Sequence, residues 1–158
     1  MTGKFTISEV LIIALKIEEY GRDFCKQYSE ISNLEETKKT FMLLSKAEQI
    51  HYDKYKAILN SLRQKELKID YPGDVSFYLK ALAEESIFDE IKKVGTVLKL
   101  KSEKEVLEFA LELEHNSIKF YETMKRTIPL KYRKTVNTII NEEKEHVKII
   151  NNMLHSRN

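Results

Sequence analysis

Residues 47–51 read Ala-Glu-Gln-Ile-His, and residues 142–146 read Glu-Glu-Lys-Glu-His. Each stretch contains a Glu-x-x-His pair, Glu48 with His51 and Glu143 with His146, in a helical pattern of apolar residues. Residues three apart lie on one face of a helix, so each pair can bind one ion together. A carboxylate buried without a partner is strongly destabilising. The two stretches therefore predict helices whose buried glutamates are neutralised by bound cations.

Two more glutamates, Glu18 and Glu114, fall in the apolar stripes of their own predicted helices. Glu18 lies between Ala14 and Gly21 on its helical face, whereas its neighbour Glu19 falls on the polar side. Four buried carboxylates balance the charge of two divalent cations when the histidines are neutral. Carboxylate with imidazole suits iron, manganese or zinc better than calcium or copper. The six residues therefore predict a site for two transition-metal ions.

A third Glu-x-x-His pair, Glu112 with His115, serves as an internal comparison. Its helical face also carries Glu105, Glu108 and Lys119. A face with this many charges is typical of a solvated surface, so we interpret Glu112 and His115 as exposed residues rather than ligands.

Helix-start signals and the scarcity of helix breakers predict four long helices, since the chain has only two prolines and four glycines. Capping boxes are expected at Thr6 with Glu9, Asn33 with Glu36, and Ser102 with Glu105. The first helix should end near Ile31 and the second near Lys65, and Pro129 should separate the third helix from the fourth.

The chain repeats itself at a spacing of 96 or 95 residues, because 114 − 18 = 96 and 143 − 48 = 95. We therefore predict one all-α domain over 1–158, a four-helix bundle of two similar hairpins at about 6–65 and 102–156. A crossover at about 66–101 should contain short helices, a turn at 71–74 and a helix stop at Gly95. Glu18 lies about 13 residues, roughly 20 Å, before the end of its helix, and Glu48 lies about as far after the start of its own. The second hairpin repeats this for Glu114 and Glu143, so the ligands of each hairpin should lie at one level.

Composition excludes several classes of function. The net charge of +2 argues against a nucleic-acid partner chosen by gross electrostatics. The single cysteine, Cys25, can form neither an internal disulfide nor a Cys-x-x-Cys site for zinc or rubredoxin-type iron. The apolar run from Val10 to Leu15 is too short to span a membrane. We expect a cytoplasmic protein that contacts neither membrane nor nucleic acid.

Tyr121 lies two helical turns after Glu114, and Cys25 holds the corresponding place after Glu18. Tyr121 could hydrogen-bond a metal ligand or carry an electron, although packing in the core is the alternative for both residues. Tyr52 and Tyr55 are expected in the core. The basic stretch 125–134 is interpreted as the solvated end of the second hairpin.

These motifs resemble the ferritin-like di-iron carboxylate superfamily, and within it the rubrerythrin-like branch. The resemblance covers nearly the whole chain. It rests on Ala-Leu-Lys-Ile-Glu at 14–18, Ala-Glu-Gln-Ile-His at 47–51, Ala-Leu-Glu-Leu-Glu at 110–114 with Phe120-Tyr121, and Glu-Glu-Lys-Glu-His at 142–146.

The resemblance implies two iron ions, with manganese or zinc as alternatives, and assigns their ligands. Glu18 and His51 would be terminal ligands of one ion, and Glu114 and His146 of the other. Glu48 and Glu143 would bridge the two ions. A homodimer is likewise expected from the resemblance.

Two departures from rubrerythrins affect the functional hypothesis. Rubrerythrins carry a further glutamate three residues after the third-helix ligand, where this chain has Ser117, and this difference argues against a rubrerythrin-style peroxidase cycle. Rubrerythrins also carry a C-terminal rubredoxin module, for which this sequence has neither the length nor the cysteines. Electrons would therefore come from a separate donor, such as a rubredoxin-type protein.

The leading hypothesis is a di-iron redox protein that reduces hydrogen peroxide or dioxygen, or oxidises ferrous iron, with no catalytic residues beyond the metal ligands. The alternative is a non-enzymatic helical bundle that binds iron or manganese or that serves in the response to oxidative stress. A helical adaptor that binds a partner and leaves its core empty ranks last, because its buried carboxylates would have no counter-ion.

Overall fold

The computed structural model describes residues 4–62, 69–70, 100 and 102–156. The chain divides into two compact units, Met1–Lys93 and Val94–Asn158, and each contains one pair of long helices. The predicted turn at 71–74, the short crossover helices and the stop at Gly95 lie outside the described residues. A single domain over 1–158 stays a prediction.

The first unit contains helices α1 (Ile7–Ile31) and α2 (Glu35–Ser61), which pack against each other. Thr6 begins α1 with a complete capping box: its hydroxyl accepts from the Glu9 amide, and the Glu9 carboxylate accepts from the Thr6 amide. The rings of Tyr28 and Phe41 meet edge to face near the turn, with centroids 4.8 Å apart. The start and end of α1 match the prediction.

The start of α2 differs from the prediction. Leu34, not Asn33, is its N-cap residue, and among the described residues no side chain caps this helix. The Ser32 hydroxyl instead accepts from the Leu34 amide at 3.3 Å, so a serine of the three-residue connection supports the turn. The helix also ends at Ser61, four residues before the predicted Lys65.

A two-residue ladder in the first unit was not predicted. Strand β1 (Lys4–Phe5) pairs antiparallel with β2 (Ile69–Asp70), with Lys4 opposite Asp70 and Phe5 opposite Ile69. Strands this short carry no periodicity that sequence analysis can detect. The ladder joins the segment before α1 to the segment that follows α2.

The second unit contains helices α3 (Glu103–Thr127) and α4 (Leu130–Ser156), which also pack against each other. The Ser102 hydroxyl accepts from the Glu105 amide, as predicted, and Pro129 precedes α4. Glu122 on α3 links the two helices, because its carboxylate contacts Lys125 at 2.9 Å and Lys144 of α4 at 3.6 Å. The hydrogen bond from Lys125 lowers the pKa of Glu122.

The two pairs of helices have the same dimensions. α1 and α3 each have 25 residues and α2 and α4 each have 27. Their first residues are related by the predicted offsets, since 103 − 7 = 96 and 130 − 35 = 95. Among the described helices, none is both long and apolar enough to cross a bilayer. The structure therefore confirms the internal repeat at the level of whole helices.

Candidate metal centre

Glu18, Glu48 and His51 lie together in the interior of the first unit, with 1%, 4% and 1% of their surfaces exposed. The Nδ1 atom of His51 is 3.2 Å from Oε2 of Glu48 and 3.5 Å from Oε2 of Glu18. The glutamate of α1 therefore meets the Glu-x-x-His pair of α2, as the level geometry predicts. We call these three residues the first triad.

Glu114, Glu143 and His146 form the second triad, which repeats the arrangement on α3 and α4. All three are buried, and Glu143 is only 1% exposed. The Nδ1 atom of His146 is 2.9 Å from Oε2 of Glu143 and 3.6 Å from Oε1 of Glu114. Each unit thus brings one histidine nitrogen between two carboxylates.

Helix length accounts for the equal depth of the four glutamates. Glu18 lies 13 residues before the end of α1, since 31 − 18 = 13, and Glu48 lies 13 residues after the start of α2. The same difference separates Glu114 from the end of α3 and Glu143 from the start of α4. At 1.5 Å per residue, every glutamate stands about 20 Å from its turn.

The spacing within each triad fits a metal ion. One ligand atom from each of its three residues lies within 4.8 Å of the other two. Ligands about 2.0–2.2 Å from one ion are separated by roughly 3.0–3.5 Å along the edges of its coordination shell. The measured separations of the Nδ1 atoms from the carboxylates, 2.9–3.6 Å, are close to those edges. Donor types and distances in each unit are therefore suited to a divalent transition metal.

A polar network next to Glu48 holds α1 against α2. The Ser45 hydroxyl donates to the carbonyl oxygen of Arg22 at 2.9 Å, and the Arg22 guanidinium donates to Oε1 of Gln49 at 2.7 Å. Asp23 accepts a hydrogen bond from the same guanidinium and raises the pKa of Arg22. Since Gln49 follows Glu48 in the chain, this network fixes the helical register that presents Glu48 inward.

Gly21 is a residue whose role the sequence analysis did not identify. A Cβ added there would lie 3.6 Å from Cγ, 3.7 Å from Cδ and 3.9 Å from Oε1 of Glu48. The backbone of α1 thus passes directly beside the Glu48 carboxylate. An isolated glycine inside a helical pattern, three residues after Glu18, is the signal that could have indicated this close packing.

The other residues singled out from the sequence have mixed outcomes. Tyr121 is fully buried with its ring edge-on to Phe120, and Cys25 and Tyr55 are also buried. The assignment of Tyr52 to the core is wrong: it is half-buried, with the Arg22 guanidinium 5.9 Å from its ring centre. A position at the margin of the apolar stripe explains the error.

Ser117 and the comparison pair support the interpretation of helical register. Ser117 is buried, and its hydroxyl donates to the carbonyl oxygen of Leu113 at 2.9 Å. Glu112 and His115 are exposed, as predicted, and Glu19 is half-exposed. The structure therefore separates the glutamates of the triads from glutamates of the same helices that face solvent.

No protein-family model matches the chain, and no curated protein matches it. The chain is similar to a crystal structure from Thermotoga maritima, whose protein was assigned provisionally as a ferritin-like diiron-carboxylate protein. The similarity covers 100% of both chains, with a TM-score of 0.76 and 27% sequence identity. It confirms the predicted fold, an all-α ferritin-like four-helix bundle, and the resemblance to the ferritin-like di-iron superfamily.

Proposed function

We propose that this chain is a di-iron oxidoreductase of rubrerythrin type that reduces hydrogen peroxide, with dioxygen reduction or ferrous oxidation as related reactions. One observation carries the proposal, the occurrence of the same buried Glu, Glu and His triad once in each helix pair. The similarity to the Thermotoga maritima protein, which was assigned provisionally as a diiron-carboxylate protein, supports iron as the metal.

Within each triad the chain provides two anionic ligands and one neutral ligand in a water-poor interior. The His51 and His146 Nδ1 atoms face the carboxylates, so they are available to a cation only when deprotonated. Glu18 and Glu114 would bind terminally, and Glu48 and Glu143 would bridge, as the resemblance implies. Two ferrous ions held by these residues would supply the two electrons that reduce one hydrogen peroxide, with two protons, to two waters.

Renewed turnover requires two electrons from outside these residues. The sequence contains a single cysteine, which cannot form a rubredoxin-type iron site. We therefore propose a separate rubredoxin-type donor. From the resemblance we also propose a homodimer, and from the sequence a cytoplasmic location.

Ser117 favours a second candidate function, a carrier that binds iron or manganese without turnover. Rubrerythrins carry a glutamate at this place, whereas the hydroxyl of Ser117 is hydrogen-bonded to the Leu113 carbonyl. A chain with one carboxylate fewer provides less stabilisation for the oxidised ions. Such a carrier would bind the same two metal ions through the same six residues.

Metal content is the first test. Elemental analysis of the iron-loaded chain should find about two ions, because four carboxylates balance two divalent cations. Changing both Glu143 and His146 to Ala should reduce this number, while the matched change of Glu112 and His115 to Ala should not, since that pair is exposed. A wild-type chain that binds none of iron, manganese and zinc would rule out both candidate functions.

Peroxide chemistry separates the enzyme from the carrier. Anaerobic ferrous protein mixed with hydrogen peroxide in a stopped-flow instrument should oxidise much faster than free ferrous iron, with one peroxide consumed for two irons. Glu48→Ala should lose this fast phase. Glu19→Ala is the control: Glu19 follows Glu18 in the chain but is half-exposed, so this variant should retain the fast phase. Iron that stays ferrous in the wild-type chain would favour the carrier.

A further inference from the structure

The two triads are equivalent, but the residue three positions after each terminal glutamate is not. Gly21 follows Glu18 on α1, and Ser117 follows Glu114 on α3, at the same offset of 96 because 117 − 21 = 96. Both residues occupy the helical face that carries the glutamate. The repeat therefore identifies a difference in bulk at one defined place beside each triad.

In the first unit this place leaves room next to Glu48. A Cβ at Gly21 would be in ordinary van der Waals contact with the carboxylate, 3.6–3.9 Å from three of its side-chain atoms. The glycine leaves a space of about one methyl group there. Glycine in a helix interior is less favourable than alanine by about 1 kcal/mol, so its presence here calls for a local reason.

In the second unit the corresponding place is filled. Ser117 contributes a Cβ and a hydroxyl, and the hydroxyl is held against its own helix by the 2.9 Å hydrogen bond to Leu113. Ser117 is 9% exposed, so its side chain belongs to the packed interior. A packed interior resists side-chain rearrangement, because moving a group requires its neighbours to leave preferred rotamers.

We infer that Gly21 is a positioning residue: it leaves the Glu48 carboxylate space to swing, whereas Ser117 fills the corresponding place in the second unit, so that the ion of the first triad is the one that accepts a small exogenous anion. This inference rests on the proposed two-metal site. Carboxylates bind metals through one or two oxygens, and a change between these modes moves an oxygen into the free space. A Cβ at position 21 would obstruct this movement without disturbing the fold.

Cobalt provides a readout that does not depend on turnover. The probe is the chain loaded with two Co²⁺ ions and titrated with azide, followed by the visible absorption of Co²⁺. In the wild-type chain we expect one azide to bind with higher affinity than any second one. Gly21→Ala should weaken this first binding by about tenfold, the factor produced by holding a side chain off its preferred rotamer. Its Co²⁺ content should stay at two.

Exchanging the two residues gives the matched controls. Gly21→Ser makes the first unit like the second and should weaken the first azide as Gly21→Ala does. Ser117→Gly makes the second unit like the first and should strengthen the second azide while leaving the first unchanged. The melting temperature of Gly21→Ala should not fall below that of wild type, because alanine favours the helix.

Three results would overturn the inference about Gly21. Two Co²⁺ ions with an azide affinity that Gly21→Ala and Gly21→Ser leave unchanged would overturn this inference and keep the proposed function. Two Co²⁺ ions without any azide binding would overturn it as well. A wild-type chain that takes up no Co²⁺, Fe²⁺ or Mn²⁺ would overturn both.

Discussion

Glu143 should reduce the stability of the chain when no metal is bound. Its carboxylate is 1% exposed and shares the interior with the carboxylate of Glu114. Removing carboxylates from water is unfavourable, and a metal ion offsets this cost only while it is bound. The two triads should therefore lower the stability of the metal-free protein, an instance of stability given up for function.

Replacing both Glu143 and His146 with Leu tests this cost, because Nδ1 of His146 lies 2.9 Å from Glu143 and a single change would remove only one partner of a buried pair. We expect the metal-free double variant to be more stable than metal-free wild type by about 1–2 kcal/mol, because a buried polar pair is replaced by apolar side chains. The variant should also lose the rise in melting temperature that Fe²⁺ or Co²⁺ produces. Thermal denaturation with and without metal measures both effects.

Replacing both Glu112 and His115 with Leu is the matched control, since both residues are exposed on the same pair of helices. The stability of this control should stay within about 0.5 kcal/mol of wild type, and the metal-dependent rise should persist. A metal-free double variant at Glu143 and His146 that is less stable than metal-free wild type would contradict the expected cost of the buried carboxylate.

At single residues, helical register predicted the burial of all six triad members and the exposure of Glu112 and His115. It predicted less well where the answer depends on the opposing helix. The glycine in the pattern of α1 indicates close packing at position 21, but it does not identify Glu48 of α2 as the neighbour. Tyr52 was placed wrongly because periodicity does not show how wide the contact between two helices is.

At the scale of elements, the ends of the helices show where local signals determine structure. Thr6 and Ser102 each accept a hydrogen bond from the amide three residues later, and α1 and α3 begin at the next residue. Asn33 carries the same sequence signal, but Ser32 supports the short connection and α2 begins one residue later than a cap at Asn33 would give. Tertiary contacts in a three-residue turn outweigh a capping preference of this size.

Alanine substitution at the caps should reproduce this difference. Thr6→Ala is expected to destabilise the protein by about 1 kcal/mol, because it removes both bonds of the capping box. Asn33→Ala should cost less than about 0.5 kcal/mol, as is usual for an exposed position without a structural role. Urea denaturation of the two variants measures the contrast, and equal losses would argue that Asn33 caps α2 in solution.

At the scale of the whole molecule, the repeat allowed the fold class to be predicted, since it fixed the number of long helices and their pairing. Two-residue strands were less accessible to prediction, because elements this short give weak periodic signals. The ladder of Lys4–Phe5 with Ile69–Asp70 is an example. Non-local pairing of this kind is decided by the folded chain rather than by local sequence.

The bridging roles implied for Glu48 and Glu143 predict that the two units are coupled through metal. His51→Ala lies in the first unit, yet it should reduce the protection that Fe²⁺ or Co²⁺ gives to amides of α3 and α4. Hydrogen exchange of the wild type and the variant, with and without metal, measures this coupling. Unchanged metal-dependent protection of α3 and α4 would mean that each triad binds its ion independently.

The equal depth of all four glutamates, 13 residues from their turns, also has an evolutionary consequence. We infer from the internal repeat that an ancestral hairpin was copied end to end, which would supply every ligand twice and at the same distance from its turn. Differences between the copies, such as Gly21 against Ser117 and Cys25 against Tyr121, would then have arisen after the duplication. At these positions the two helix pairs can take different roles, because a change in one copy leaves the other copy unaltered.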